Sequence, residues 1–130
     1  MIRIAGIVVV VLAIVDGLVH LGLDAFVVHF SRAPLNILFA LNFVGYFALV
    51  ALFLLTQQSS FSIRRLVDVV LIVYPLLTFA AWIYFTKGRG NPMDLAYVSK
   101  PAEIIMAIAA LVHLAQLGHE KSPGMASAQA

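Results

Sequence analysis

The sequence contains no cysteine and few charged residues. Of its 130 residues, 11% are charged and 63% are apolar, and the mean hydropathy is +1.05. The lack of cysteine excludes disulfides, thiolate metal sites and cysteine nucleophiles. Soluble domains have roughly 25% charged and roughly 45–50% apolar residues. The departure from both values predicts a single-domain integral membrane protein that has the lipid bilayer as a partner.

The chain also lacks an extended basic cluster. Its net charge is +2, and the adjacent Arg64 and Arg65 form its largest group of basic residues. Because a nucleic-acid-binding surface requires a basic patch or stripe, nucleic acid is not expected as a partner.

Four apolar segments cover most of the chain, and polar sequences separate them. A membrane-spanning helix needs about 20 residues, with a range of about 17–25, and hydrocarbon favours helices because they leave no backbone group unpaired. The predicted helices are 4–30, 35–55, 63–85 and 101–117. Since short connections make neighbouring helices antiparallel, the predicted fold is all-α. It is a polytopic membrane protein with an up-down bundle of four transmembrane helices in residues 1–118, followed by a polar flexible C-terminal tail at 119–130.

The first segment begins like a secretory signal peptide, with Arg3 before an apolar run. Cleavage requires small residues at positions −3 and −1, and a cut after Ala25 would put Leu23 at −3. The segment is therefore predicted to remain as a membrane span. Basic residues are shared evenly between the two predicted sides, and the free amino terminus with the Arg64–Arg65 pair favours cytoplasmic termini.

Three ionisable residues interrupt the first apolar segment at four-residue spacing: Asp16, His20 and Asp24. On a helix, this spacing puts them on one face as a polar stripe. A charged group at the bilayer centre costs roughly 2.5–3.5 kcal/mol on insertion scales. The stripe is therefore predicted to face the bundle interior, with Asp16 deepest, His20 as a relay and Asp24 at the mouth.

Polar residues of the other segments reach the depth of this stripe. Asn42 and Thr78 lie within the second and third segments, and Lys100 and Glu103 lie where the fourth begins. The candidate buried polar or proton site consists of Asp16, His20, Asp24, Asn42, Lys100 and Glu103.

Each of these residues also has a structural interpretation. Glu103 can complement the dipole at the start of a helix, and Lys100 can extend to the lipid headgroups. Asn42 suits a hydrogen bond between helices, and Asp24 can stay solvated near the interface. The two deepest groups of the stripe can satisfy each other as a buried pair.

A second polar pair is predicted in the opposite half of the bundle. Asp68 of the third segment and His113 of the fourth both lie on the terminal side of the midplane. A carboxylate that accepts a hydrogen bond from a histidine satisfies both groups, so this pair is interpreted as structural.

The four histidines raise the question of haem. Ligation by two histidines requires similar depths on facing helices, whereas His20 and His113 are predicted to differ by ~12 Å in depth at the rise of an α-helix. The sequence also lacks the paired Glu-x-x-His pattern of helical di-metal bundles. Haem is therefore not expected, no metal site is predicted, and the sequence identifies no cofactor.

Three functional hypotheses follow from these features. The small size and the lack of a recognised motif favour an accessory or interaction subunit of a membrane assembly, through self-association or a larger membrane partner. The ionisable stripe favours a small proton-linked transporter or a ligand-binding bundle. An enzyme or redox subunit has no specific support, because the sequence contains no nucleotide-binding loop in a strand–turn–helix context and no nucleophile elbow.

Overall fold

The structure, a computed structural model, describes residues 3–22, 33–86 and 96–120. Within these ranges it contains four long helices, namely α1 (Ile4–Gly22), α2 (Ala33–Leu55), α3 (Phe61–Thr86) and α4 (Ala96–Glu120). A short 3-10 turn at Thr56–Gln58 follows α2. All four helices are long and apolar enough to cross a membrane. The prediction of an all-α protein with four such helices is confirmed.

The helices pack into a bundle in which α1 contacts α2 and α4, and α3 contacts α4, while the contact between α2 and α3 is smaller. Contacts at two levels give the relative direction of α1 and α4. The Arg3 guanidinium donates to the Gln116 carbonyl at 3.3 Å, whereas Asp16 lies beside Glu103. Residue numbers rise along α1 as they fall along α4, so these two helices are antiparallel.

Small residues allow the helices to approach one another closely. A Cβ atom added to Gly17 of α1 would lie 2.9 Å from the Phe47 ring of α2. A Cβ atom added to Gly45 of α2 would overlap the hydroxyl group of Tyr74 on α3. Close approach through small residues is the usual way in which membrane helices gain packing energy, because lipid provides no hydrophobic drive between them.

An apolar layer fills the middle of the bundle. It consists of Ala13, Leu49, Leu71, Met106 and Ala110. Each of these side chains is at most 7% exposed. On α4, Glu103 lies one turn before Met106, and His113 lies one turn after Ala110. The layer therefore separates the polar residues at one end of the bundle interior from those at the other end.

Helix α4 begins five residues earlier than the sequence predicted. The prediction started the helix at Pro101 because proline is favoured in a first turn, but the structure places Pro101 inside a helix that starts at Ala96. The extension puts Lys100 in the same helix as Glu103, three positions apart and on neighbouring parts of one face. Helix α3 differs from its predicted bounds by two residues at most, and residues 23–30 of the first predicted helix lie outside the described residues.

Candidate functional site

Asp16 and His20 lie one turn apart on the buried face of α1 and are 0% and 3% exposed. The His20 Nδ1 atom donates a hydrogen bond to the backbone carbonyl of Asp16 at 2.9 Å and lies 3.5 Å from Oδ2 of the carboxylate. Because a carbonyl oxygen can only accept, Nδ1 carries a ring proton. The hydrogen bond that orients His20 therefore goes to the Asp16 backbone, and the Asp16 carboxylate receives no hydrogen bond from the imidazole.

Glu103 and Lys100 form an ion pair on α4. The Lys100 Nζ atom donates to Oε1 of Glu103 at 2.6 Å, and both side chains are buried. Lys100 is thus turned towards the bundle interior and away from the headgroup position that its structural interpretation gave it. The second oxygen of Glu103, Oε2, has no hydrogen-bond partner among the described residues.

Helices α1 and α4 bring three potential ligands together. One ligand atom from each of Asp16, His20 and Glu103 lies within 4.8 Å of the other two. Both carboxylate oxygens of Asp16 lack a hydrogen-bond partner in the part of the chain that the structure describes. With its acids ionised, the cluster holds two carboxylates against the single ammonium of Lys100. In that state it would carry an excess negative charge at buried positions.

Tyr46 of α2 and Thr78 of α3 lie on the other side of this cluster. The Tyr46 hydroxyl is 3.0 Å from Thr78 Oγ1. It is also close enough to Asp16 and Glu103 to interact electrostatically with both carboxyl groups. Thr78 can donate its hydroxyl hydrogen to the Pro75 carbonyl at 2.9 Å, and either hydroxyl group can be the donor in the contact between Tyr46 and Thr78. The single hydroxyl hydrogen of Tyr46 is therefore available to Thr78 or to Asp16.

Asn42 takes part in a contact between α2 and α3. The Tyr74 hydroxyl lies 3.2 Å from Asn42 Oδ1 and 3.3 Å from the Leu41 carbonyl. Asn42 thus has the position that its structural interpretation gave it, as a hydrogen-bonding group between helices. Asp24, the remaining member of the predicted stripe, lies outside the described residues.

Asp68 and His113 form a separate buried pair. His113 Nδ1 is 2.8 Å from Asp68 Oδ2, and the Phe53 ring packs edge-on against the imidazole with a centroid distance of 5.2 Å. Along α4, His113 is ~15 Å from Glu103 at the rise of an α-helix. The pair therefore does not belong to the cluster around Asp16.

The sequence did not single out Tyr46 or Ser99, and Thr78 was noted for its depth alone. Ser99 is 1% exposed, and its Oγ atom lacks a hydrogen-bond partner within the described ranges. Its spacing of four residues from Glu103 would have indicated the shared face, had the helix been predicted to start before it. Tyr46 carried no such signal, because an aromatic residue in an apolar segment is equally suited to a core or an interfacial position.

The profile of a family of unknown function, DUF7475, matches residues 2–114. The chain belongs to this family. All residues of the cluster around Asp16, and the Asp68–His113 pair, lie within the matched range. No curated protein and no solved structure matched the chain significantly.

Proposed function

We propose that the chain is a small four-span integral membrane transporter of the proton-linked kind, which binds a cation between α1 and α4. One observation carries this proposal. Asp16 is 0% exposed, neither of its carboxylate oxygens has a hydrogen-bond partner among the described residues, and Glu103 and His20 each have a ligand atom within 4.8 Å of it.

The energetic argument is that the cluster has one positively charged side chain too few to balance its two carboxylates. Lys100 offsets the charge of one carboxylate through its 2.6 Å contact with Glu103, and the charge of the other has no counterpart in the cluster. Leaving a buried charge uncompensated costs several kcal/mol, and ionisable residues inside membrane helices commonly mark ion or proton pathways. A bound cation would balance the uncompensated carboxylate charge, and a proton can serve as this cation. Exchange of a proton for another cation at the site would then provide a transport cycle.

The outer surface of the bundle suits a bilayer. Large apolar side chains face outward on all four helices, among them Val11, Val44, Leu77 and Ile108, each more than half exposed. Soluble monomers rarely expose continuous apolar surfaces of this kind, whereas hydrocarbon accommodates them. We therefore place the four helices across the membrane.

The accessory-subunit hypothesis stays a prediction. It needs a surface that is specific for another protein, and lipid accounts equally well for the outward apolar side chains. An enzymatic role gains no support from the described residues, because the buried polar groups include no nucleophile paired with a base. The transporter proposal is favoured over the accessory role because it gives the unpartnered carboxylate of Asp16 a function.

Ion flux into vesicles tests the proposal. Purified protein is reconstituted into liposomes that contain a pH-sensitive dye, and gradients of Na⁺, K⁺, Mg²⁺ or Mn²⁺ are imposed in separate runs. The wild type is expected to move protons against at least one of these cations, and the Asp16→Asn variant against none. Asp68→Asn is the matched control, because it removes a buried carboxylate from the Asp68–His113 pair instead.

Circular dichroism and gel filtration establish that each variant has folded before its flux is compared. A folded Asp16→Asn variant that matches the wild type in every gradient would contradict the proposal. A wild type that moves no protons under any gradient would contradict it as well.

A further inference from the structure

The cluster of Asp16, His20 and Glu103 has the composition of a metal site. Its donors are one imidazole and two carboxylates, all buried, with one ligand atom from each within 4.8 Å of the others. Bonds of ~2.0–2.2 Å to a metal would place neighbouring ligand atoms about 3–3.5 Å apart. Binding would therefore require these side chains to draw closer together than in the metal-free cluster.

The hydrogen bond of His20 is compatible with metal ligation through Nε2. Its Nδ1 atom donates to the Asp16 carbonyl at 2.9 Å and is also the ring atom 3.5 Å from the Asp16 carboxylate, so in the neutral ring Nε2 carries the lone pair and would be the ligand atom. A metal-binding histidine commonly donates its other ring nitrogen to a backbone carbonyl or a carboxylate, which fixes the tautomer and the ring orientation.

Unused oxygen atoms provide independent evidence for a missing ligand. Asp16 Oδ1, Asp16 Oδ2 and Glu103 Oε2 are all buried, and none has a hydrogen-bond partner among residues 3–22, 33–86 and 96–120. Buried polar atoms without partners are rare in folded proteins and require an explanation. The Tyr46 hydroxyl lies near Asp16 and the Thr78 hydroxyl near Glu103. Because each has a single hydrogen to donate, the two together leave at least one of the three oxygens without a donor.

We infer that Asp16, His20 and Glu103 bind a first-row divalent metal ion, such as Mn²⁺, Fe²⁺, Co²⁺ or Zn²⁺. This inference rests on the proposed function and names the class of cation for the same site. Imidazole and carboxylate ligands suit these ions, whereas Cu⁺ prefers the sulfur ligands that the cluster lacks. Three protein ligands leave at least one coordination position open, as in sites where the metal exchanges ligands.

Lys100 acts as the internal competitor of the metal ion. Its ammonium group holds Glu103 Oε1 at 2.6 Å and places a positive charge next to the ligand group. A like charge at this distance weakens the binding of a cation. Metal affinity is therefore limited by Lys100, which suits a site that must release its ion.

Cobalt binding tests the inference directly. Wild-type protein in detergent micelles is titrated with Co²⁺ and followed by visible absorption, because ligand-field bands report nitrogen and oxygen ligation without the need for a variant. Calorimetric titration with Zn²⁺ and Mn²⁺ then gives affinities. The expected result is Co²⁺ bands that saturate at one ion per chain and disappear when Zn²⁺ is added. Absence of both the bands and the calorimetric signal would overturn the inference.

Variants then locate the site. Asp16→Asn, His20→Gln and Glu103→Gln are each expected to weaken binding by about 10–100-fold or more, since even the loss of a residue that only orients a ligand costs this much. Asp68→Asn and His113→Gln make the same chemical changes away from the cluster and are expected to leave the affinity unchanged. Binding that weakens equally in both sets would overturn the assignment of the ligands.

Lys100→Met separates metal ligation from the integrity of the bundle. Removal of the competing charge is expected to tighten Co²⁺ binding by about tenfold or more. A loss of binding as large as that in Asp16→Asn would contradict the inference.

The vesicle assay and the metal titrations test the transport role and the metal site separately. Proton flux that depends on Asp16, in a wild type that binds no divalent metal, would overturn the metal site and leave the proposed function standing. Metal binding that depends on Asp16, in a wild type that moves no protons, would support the site and overturn the transport role.

Discussion

His113 and Asp68 join α4 to α3 through a contact of 2.8 Å between Nδ1 and Oδ2. Both side chains are almost completely buried, at 3% and 1% exposed, and the imidazole also packs against Phe53. Removal of either partner would leave the other in an apolar environment without its hydrogen bond.

The two residues are therefore expected to be energetically coupled. Asp68→Asn or His113→Gln alone should each reduce the free energy of unfolding by about 1–3 kcal/mol, the cost of an unsatisfied buried group. The double variant should cost less than the sum of the two. Thermal unfolding in detergent measures all four proteins of the cycle, with His119→Gln as an exposed histidine control. Additive effects within error would show that the contact contributes nothing.

Gly45→Ala is expected to destabilise the contact between α2 and α3. The added methyl group would overlap the hydroxyl group of Tyr74 and displace it from Asn42 and the Leu41 carbonyl. Overpacking of this kind costs about 1–3 kcal/mol. Gly118→Ala is the matched control, because a Cβ atom at that helical position meets nothing within 4 Å. Unfolding temperatures that do not differ between the two variants would contradict the predicted close packing.

Leucine truncations on α3 are expected to distinguish its inner and outer faces. Leu71 belongs to the apolar layer and is 0% exposed, whereas Leu77 is 62% exposed. Leu71→Ala should cost about 2–5 kcal/mol through lost contacts and a residual cavity. Leu77→Ala, which removes the same atoms from an outward position, should cost much less. Denaturant titration in mixed micelles compares the two, and equal losses would mean that the buried face of α3 is wrongly assigned.

Four membrane spans with antiparallel neighbours predict that both termini lie on one side of the membrane. Reporter domains fused after Thr56 and after Gly118 should then share a compartment, and those fused after Arg32 and after Gly90 should share the opposite one. Reporters at Thr56 and Gly118 that disagree would rule out this topology.

The sequence predicts the helices well because hydrocarbon imposes a strong and local requirement. Around 20 consecutive apolar residues can be recognised without knowledge of the fold, and four such segments became α1 to α4. The spacing of Asp16 and His20 was equally local, since a helix fixes which residues share a face.

Contacts between helices could be predicted only through approximate depth. Depth along the helices put Asp16 and Glu103 in one candidate cluster and Asp68 beside His113, but the distance between Asp16 and Glu103 depends on the register of α1 against α4, which a sequence without a recognised motif does not specify.

The early start of α4 was also not predictable from the sequence. Pro101 has the same sequence signal whether the helix begins at this proline or, as in the structure, five residues before it. The pairing of Lys100 with Glu103 follows only when the helix continues through that proline.

The apolar layer of Ala13, Leu49, Leu71, Met106 and Ala110 would act as a barrier to ions. A hydrated ion that entered from either end would meet a tightly packed barrier of hydrocarbon, and it would lose its hydration shell there without receiving polar contacts in return. In the membrane-spanning arrangement proposed above, the bundle in this conformation would thus be an electrical insulator. Many copies could then lie in a membrane without draining its ion gradients, and the proposed transport of an ion would require the helices to separate at this layer.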